Sequence, residues 1–161
     1  MPVISPAQAG GLNRCAFLDA LASSEIGEAL LAVTDNGYNV LVGATPSNPI
    51  TFSSYAKHPG ILNAALNSTA AGRYQLLFRW WSAYSVLLRL PDFSPLSQDL
   101  IALQQIRERR ALPLIDSGQF SQAIAACSNL WASLPGAGYG QHTNSLDSLK
   151  AAYILNGGTV A

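Results

Sequence analysis

The residue whose setting most suggests chemistry is Glu25, in "LASSEIGEALL" over residues 21–31. Only three glutamates exist in the chain, Glu25, Glu28 and Glu108, and this one stands among leucines, alanines and an isoleucine. Burial beside Leu21, Ile26 and Leu30 would disfavour its ionised form, and the negative end of a preceding helix would act the same way. A carboxylic acid held protonated near neutral pH is the proton donor that a glycosidic oxygen requires. The alternative is a solvated helix end, and the residues alone leave both readings open.

A second carboxylate would complete a hydrolase pair, forming a covalent intermediate or activating water. Asp35 stands ten positions later, but Asn36-Gly37 beside it makes an ordinary turn the better account. Glu28 is expected to face solvent. In "NSTAAGRYQ" (67–75), Ser68 and Thr69 supply hydroxyls, Gly72 permits close approach and Gln75 opens a helix with a bidentate amide; a plain N-cap by Ser68 or Thr69 is the better account of the hydroxyls taken alone. In "PGAGYGQ" (135–141), Tyr139 is a candidate sugar platform with Gln141 behind it, or part of an ordinary connector. Trp80, Trp81 and Trp131 fall at spacings that favour the core over stacking on sugars. Ser23 and Ser24 have no histidine partner in sequence, against a serine hydrolase. The loop "GAGYGQ" lacks the strand–loop–helix setting of a dinucleotide site.

The elements that must position these groups read as follows. Residues 12–24 form a helix whose stripe, Leu18 and Leu21, continues to Glu25. "DNGYNVLVG" and "ITFSSYA" alternate as strands around turn residues, predicting a small antiparallel hairpin sheet. From Arg73 onward the pattern is helical. One helix places Leu77, Trp81, Tyr84 and Leu88 on one face, with Arg73 and Arg79 on the wetter side. The next is capped by Ser94, starts at Pro95 and has a stripe of Leu96, Leu100, Leu103 and Ile106. A short turn closes at Gly118, a helix buries Phe120, Ile124, Cys127 and Trp131, and a last helix spans about 145–155. The expected fold is α+β: one domain over 1–161, with a loosely ordered extension at 1–11, a small antiparallel sheet, a helical lobe and a cleft between them.

Composition narrows the function. Nine basic residues balance nine acidic ones, which argues against nucleic acid as partner. No apolar run approaches the ~20 residues that span a bilayer. The N-terminus "MPVISPAQAGGLNR" lacks the basic start and apolar core of a signal peptide, so a cytosolic start is expected. Cys15 and Cys127 read as core residues, and His58 and His142 lie too far apart for a zinc site.

Several blocks, in order, carry a resemblance: "CAFLDALASSE", "NGYNVLVG", "STAAGRYQLLFRWW", "DFSPLSQDLIALQQIRERRALPLID", "CSNLWASLPGAGYGQ" and "GGTV". Together they resemble the phage lambda endolysin family from about Arg14 onward. The resemblance implies a lysozyme-like fold. It also implies cleavage of the β-1,4 bond between N-acetylmuramic acid and N-acetylglucosamine in peptidoglycan, by a lytic transglycosylase needing no metal or organic cofactor. It places Glu25 at the catalytic glutamate, and Ser68, Arg73, Gln75, Tyr139 and Gln141 among residues that bind the glycan strand. It further implies a monomer that does not insert into membranes, accumulates in the bacterial host cytoplasm and reaches the periplasm through a holin. Ile26 stands where that family usually has glycine, and "IGEALLAVTD" is more apolar and acidic than its usual stretch, implying an altered rim beside Glu25. The competing expectations are a hydrolytic muramidase using Glu25 and Asp35, and a peptidoglycan-binding derivative without turnover.

Overall fold

The computed structural model describes residues 1–136 and 144–161. The chain divides into two compact units: Met1–Glu25 with Ala102–Ala161, and Ile26–Ile101. The division therefore falls directly after Glu25. Among the described residues no helix is long and apolar enough to cross a membrane.

The first unit is helical. Its elements are α1 (Pro6–Ala9), α2 (Leu12–Glu25), the later part of α5 (Pro95–Glu108), α6 (Leu112–Asp116), α7 (Phe120–Cys127) and α8 (Leu146–Leu155). Every residue of α2 from Cys15 to Ala22 is buried, so this helix is enclosed on all sides rather than amphipathic. α1, α6 and α8 pack against it. Phe17 meets the Phe120 ring edge-on and Phe120 packs tilted on Tyr153, at centroid distances of 5.9 and 4.6 Å. Arg14 grips Asp116 through two hydrogen bonds of 2.8 and 2.7 Å. Asn13 accepts from the backbone N–H and hydroxyl of Thr159, both at 3.0 Å, and donates to the Ile115 carbonyl.

Residues 1–11, expected to lie loosely, form a defined segment. Ser5 and Gln8 make a reciprocal capping box, Pro6 opens α1, and Gly10 closes it in the left-handed region. Ile4 and Ala9 are buried. Two apolar side chains and a satisfied cap offset the ordering entropy that a bare tail would not recover.

The second unit contains α3 (Glu28–Ala32), α4 (Phe78–Leu87) and the start of α5. The predicted antiparallel pairing is present, but only as isolated bridges. Val40 pairs with Thr51 and Leu41 with Ala71, so residues 39–42 lie between two partners, 50–52 and 70–72. Their bonds run from Leu41 N–H to Ile50 O (2.9 Å), Phe52 N–H to Asn39 O (2.9 Å) and Gly72 N–H to Val40 O (2.8 Å). No continuous sheet forms among the described residues. Gly43 turns the chain at φ 89°, and Pro46 and Pro49 lack the N–H that a ladder needs. The Asn36-Gly37 turn is as predicted: both residues have positive φ and the Tyr38 N–H returns to the Asp35 carbonyl.

Apolar packing of Leu41, Phe52, Ala71, Leu76, Phe93 and Ile101 makes this unit's core. A buried polar cluster adjoins it. Asp99 accepts from the hydroxyls of Tyr38 (2.8 Å) and Tyr74 (2.7 Å). Gln98 donates to the carbonyls of Tyr38 and Phe93 and accepts from the Arg73 N–H. Gly72 (φ 81°) must be glycine, because a Cβ there would stand 2.2 Å from the Gln98 amide oxygen.

Two helix expectations change accordingly. The inner face of α5 carries Ser97, Gln98 and Asp99 beside Ile101, while Leu96 of the predicted stripe is exposed. α4 begins at Phe78 rather than near Arg73, because Arg73–Gln75 are spent on the turn packed against Gln98. His58 is also interior. Its Nδ1 accepts from the Gly60 N–H, so Nε2 carries the proton and donates to the Leu76 carbonyl.

Removing the acceptor from two buried tyrosine hydroxyls should be costly. Asp99→Ala is expected to lose about 3–5 kcal/mol of stability, read in thermal melts as a fall of about 10 °C or more in Tm. Tyr38→Phe, which leaves Asp99 its other donor, should cost about 1–2 kcal/mol. Equal melting of Asp99→Ala and the parent would refute the cluster's structural role.

Candidate functional site

Glu25 is the last residue of α2, so its carboxyl lies at the helix's negative end. Its side chain retains partial exposure, yet the surrounding protein desolvates the carboxyl. That burial raises its proton affinity above the ordinary value, against a smaller opposing effect of hydrogen bonds from Ser133. The Ser133 hydroxyl donates to Glu25 Oε1. Behind it, the hydroxyls of Ser24 and Ser133 lie 2.7 Å apart. Asn144 Nδ2 donates to the Ser24 hydroxyl (3.0 Å) and to the Ser24 carbonyl (3.1 Å). The Asn144 N–H completes the cluster on the Ser133 carbonyl at 3.0 Å. Such a carboxyl can hold a proton, release it to a basic oxygen and recover another.

The other predicted residues divide by unit. Asp35 belongs to the second unit and is exposed. The Tyr55 hydroxyl donates to its Oδ2 at 2.5 Å, and its own N–H donates to Asn39 Oδ1. Burial and the adjacent Asp35 carboxyl push the Tyr55 hydroxyl well above the usual phenol range, so Tyr55 stays the donor. Ser68 is half-buried in a loop closed by reciprocal backbone bonds with Asn63, and its hydroxyl accepts from the Ala70 N–H. The hydroxyl of neighbouring Thr69 accepts from the first N–H of α4, nine positions on, although the N-cap residue of that helix is Leu77 rather than Ser68 or Thr69.

Arg73 is a correction. The charge pattern placed it on a wet helix face, but it is 1% exposed. Its guanidinium lies 5.3 Å from the Tyr38 ring centre and 6.0 Å from that of Tyr74, and Nη1 donates to the Asn36 carbonyl. It braces two turns from inside. Gln75 does not open a helix either: it sits at φ 49° and its amide curls back to the Gly72 carbonyl at 2.9 Å. The structure thus brings the Asp35–Asn36 and Gly72–Gln75 turns together through Arg73. Tyr139 and Gln141 lie outside the described residues.

Trp131 is interior and Trp81 packs on the second unit's core, but Trp80 is 48% exposed with the Arg79 guanidinium over its ring. Cys15 and Cys127 are separate buried thiols, and burial pushes Cys127 up to about 12. Among the described residues no three His, Cys, Asp or Glu side chains cluster as metal ligands would. Sequence reasoning missed Ser133 and Asn144 and set Ser24 aside. Ser133 stands 108 positions from Glu25, and only the folded chain joins them.

Residues 15–160 match the protein-family model described as Endolysin. The chain is 56% identical over 152 residues to the endolysin of Escherichia phage lambda, covering 92% of this chain and 93% of that protein. It is 48% identical over 170 residues to the endolysin of Escherichia phage P2, covering 100% of both. Among solved structures, bacteriophage lambda lysozyme complexed with a chitohexasaccharide matches with a TM-score of 0.86 and 53% identity, over 94% of this chain and 97% of that one. A second structure of lysozyme from bacteriophage lambda gives 0.82 and 51% over the same shares.

The protonation of Glu25 has a consequence for stability. Its folded-state affinity for a proton exceeds that in the unfolded chain, where the ordinary value is 4.5. The stability it contributes is complete below that value and lost as pH rises through the higher folded one. Glu25→Gln, which cannot ionise, should therefore gain Tm relative to the parent as the pH is raised through the range above 4.5. Parallel melting curves across that range would contradict a desolvated carboxyl.

Proposed function

The chain belongs to the endolysin family, and from that premise we propose that it is a peptidoglycan lytic transglycosylase that opens the host cell wall. It shares the lambda lysozyme fold. The bond cut in this reading is the β-1,4 linkage from N-acetylmuramic acid to N-acetylglucosamine. The observation that carries the reading is a single desolvated glutamate, partly exposed and supported by a hydroxyl donor rather than by a second carboxylate. The solved lambda lysozyme with bound chitohexasaccharide supports a glycan strand as substrate.

The chemistry needs one carboxyl acting twice. Protonated Glu25 gives its proton to the glycosidic oxygen as the bond to the anomeric carbon breaks through an oxocarbenium-like state. Its carboxylate then takes the proton of the muramoyl 6-hydroxyl, whose oxygen bonds to that same anomeric carbon. The products are a free N-acetylglucosamine 4-hydroxyl and a 1,6-anhydromuramoyl end; water is not consumed and Glu25 ends protonated. Ser68, Gln75, Tyr139 and Gln141 are proposed to contact the strand, whereas Arg73 acts only by holding the turns.

The hydrolytic alternative assigns Asp35 as base or nucleophile. Its hydrogen bond from Tyr55 and its place in the Asn36-Gly37 turn support an anchoring role instead. In the cell the enzyme would collect in the host cytoplasm as a monomer and act after a holin opens the inner membrane. Release of progeny phage would be the outcome.

Clearing of purified cell walls tests the assignment. Glu25→Gln should lose on the order of 10²–10⁴-fold in rate, while Asp35→Asn should stay within about threefold of the parent, as expected for loss of one exposed hydrogen bond. A fully active Glu25→Gln would remove the proposed acid. An Asp35→Asn variant as impaired as Glu25→Gln would instead favour the muramidase.

A further inference from the structure

The Glu25 cluster has a direction. A serine hydroxyl has one proton to give, and Ser133 gives its proton to Glu25 Oε1. Ser133 must then accept at its contact with Ser24, which makes Ser24 the donor across that 2.7 Å. Asn144 in turn donates to the Ser24 hydroxyl. The orientation of the Asn144 amide is set by its second contact, because the Ser24 carbonyl can only accept. Every proton in the chain points toward the carboxyl.

We propose that Asn144, Ser24 and Ser133 are positioning residues, a one-way donor chain that occupies Glu25 Oε1 and leaves Oε2 as the oxygen that carries and transfers the proton. Reversal is disfavoured by the amide end. If Glu25 donated to Ser133 and Ser133 to Ser24, the Ser24 proton would meet the Asn144 N–H. The chain therefore serves Glu25 in both protonation states. When Glu25 is protonated, it confines the proton to Oε2; when Glu25 is ionised, it supplies a charge-assisted hydrogen bond that offsets desolvation. Burial strengthens the carboxyl's hold on its proton, and the donor chain keeps the ionised form accessible.

The neighbouring charges do not supply this function. On α2, Arg14 is paired with Asp116 of α6, and Asp19 lies near the middle of the helix with the Met1 ammonium at 3.3 Å. α1 and residues 128–136 carry no charged side chain, and α8 brings Asp147 and Lys150. Among the described residues, burial and Ser133 are what act on the Glu25 carboxyl.

The catalytic part rests on Glu25 being the acid; the donor chain itself does not, and the test separates them. With three glutamates in the chain, isotope-edited NMR of the glutamate side-chain carboxyl carbons can follow Glu25, identified by the signal lost in Glu25→Gln. Ser133→Ala should raise the Glu25 titration midpoint most, and Ser24→Ala and Asn144→Ala should raise it by less. Ser133→Thr, which keeps the hydroxyl, should restore the parent value. On cell-wall glycan, Ser133→Ala should lose about 10-fold in kcat, the span of one charge-assisted hydrogen bond, with KM little changed and the alkaline limb of the pH profile moved upward. An unmoved midpoint in Ser133→Ala, or in both Ser24→Ala and Asn144→Ala, overturns the chain. Should Ser133→Ala fail to fold, the Ser24 and Asn144 variants decide alone. A shifted midpoint alongside a fully active Glu25→Gln would leave the donor chain standing and overturn the catalytic assignment.

Discussion

Withdrawal of one carboxyl from water, at the end of a helix that is itself enclosed, is the constraint on which the first unit depends. A glutamate can be held there only if the helix beneath it does not move and a donor meets it. The unbroken burial of α2 from Cys15 to Ala22 meets the first need, with α1, α6 and α8 packed around it. Ser133 meets the second. The arrangement opposes stability, since ionised Glu25 is less well solvated than it would be in the unfolded chain. Residues that serve a reaction are often placed where the fold alone would choose otherwise.

The second unit solves a different problem. Its chain is rich in turns, and no long ladder among the described residues holds them. The buried cluster of Asp99, Gln98, Arg73, Tyr38 and Tyr74 does that work instead, with the two tyrosine hydroxyls, the Gln98 amide and the Arg73 N–H each donating to a defined acceptor. In a low-dielectric interior such matches are demanding, because an unmatched group is expensive. They fix the Gly72–Gln75 and Asn36–Gly37 turns more narrowly than apolar contacts could. Arg73, reaching from one turn to the carbonyl of Asn36, is the clearest example.

The helices of the first unit were largely legible, for a local reason: caps and apolar periodicity belong to short stretches of chain. Ser145 before α8 and the stop at Gly118 lie where expected, as does the start of α5 at Pro95 in the second unit. Glu25 at a helix end was also readable, since the stripe through Leu18 and Leu21 leads to it. Pairing was harder. Alternation in residues 38–42 named the right partner segment, but the prolines that reduce it to single bridges lie in the connection. Arg73 was misplaced because charge ordinarily signals solvent, and the rings that receive it are invisible until the chain folds. The Ser24–Ser133–Asn144 cluster left no local trace either, as its members are common polar residues and Ser24 stands more than a hundred positions from the other two.

The central claim is that one glutamate carries both proton transfers without water. Mass spectrometry of soluble fragments from purified peptidoglycan, digested by the unmodified protein, tests it most directly. The account predicts muramoyl ends lighter by one water than hydrolysis products and inert to borohydride. Reducing muramoyl ends would contradict it and bring a second group, with Asp35 foremost, into the reaction.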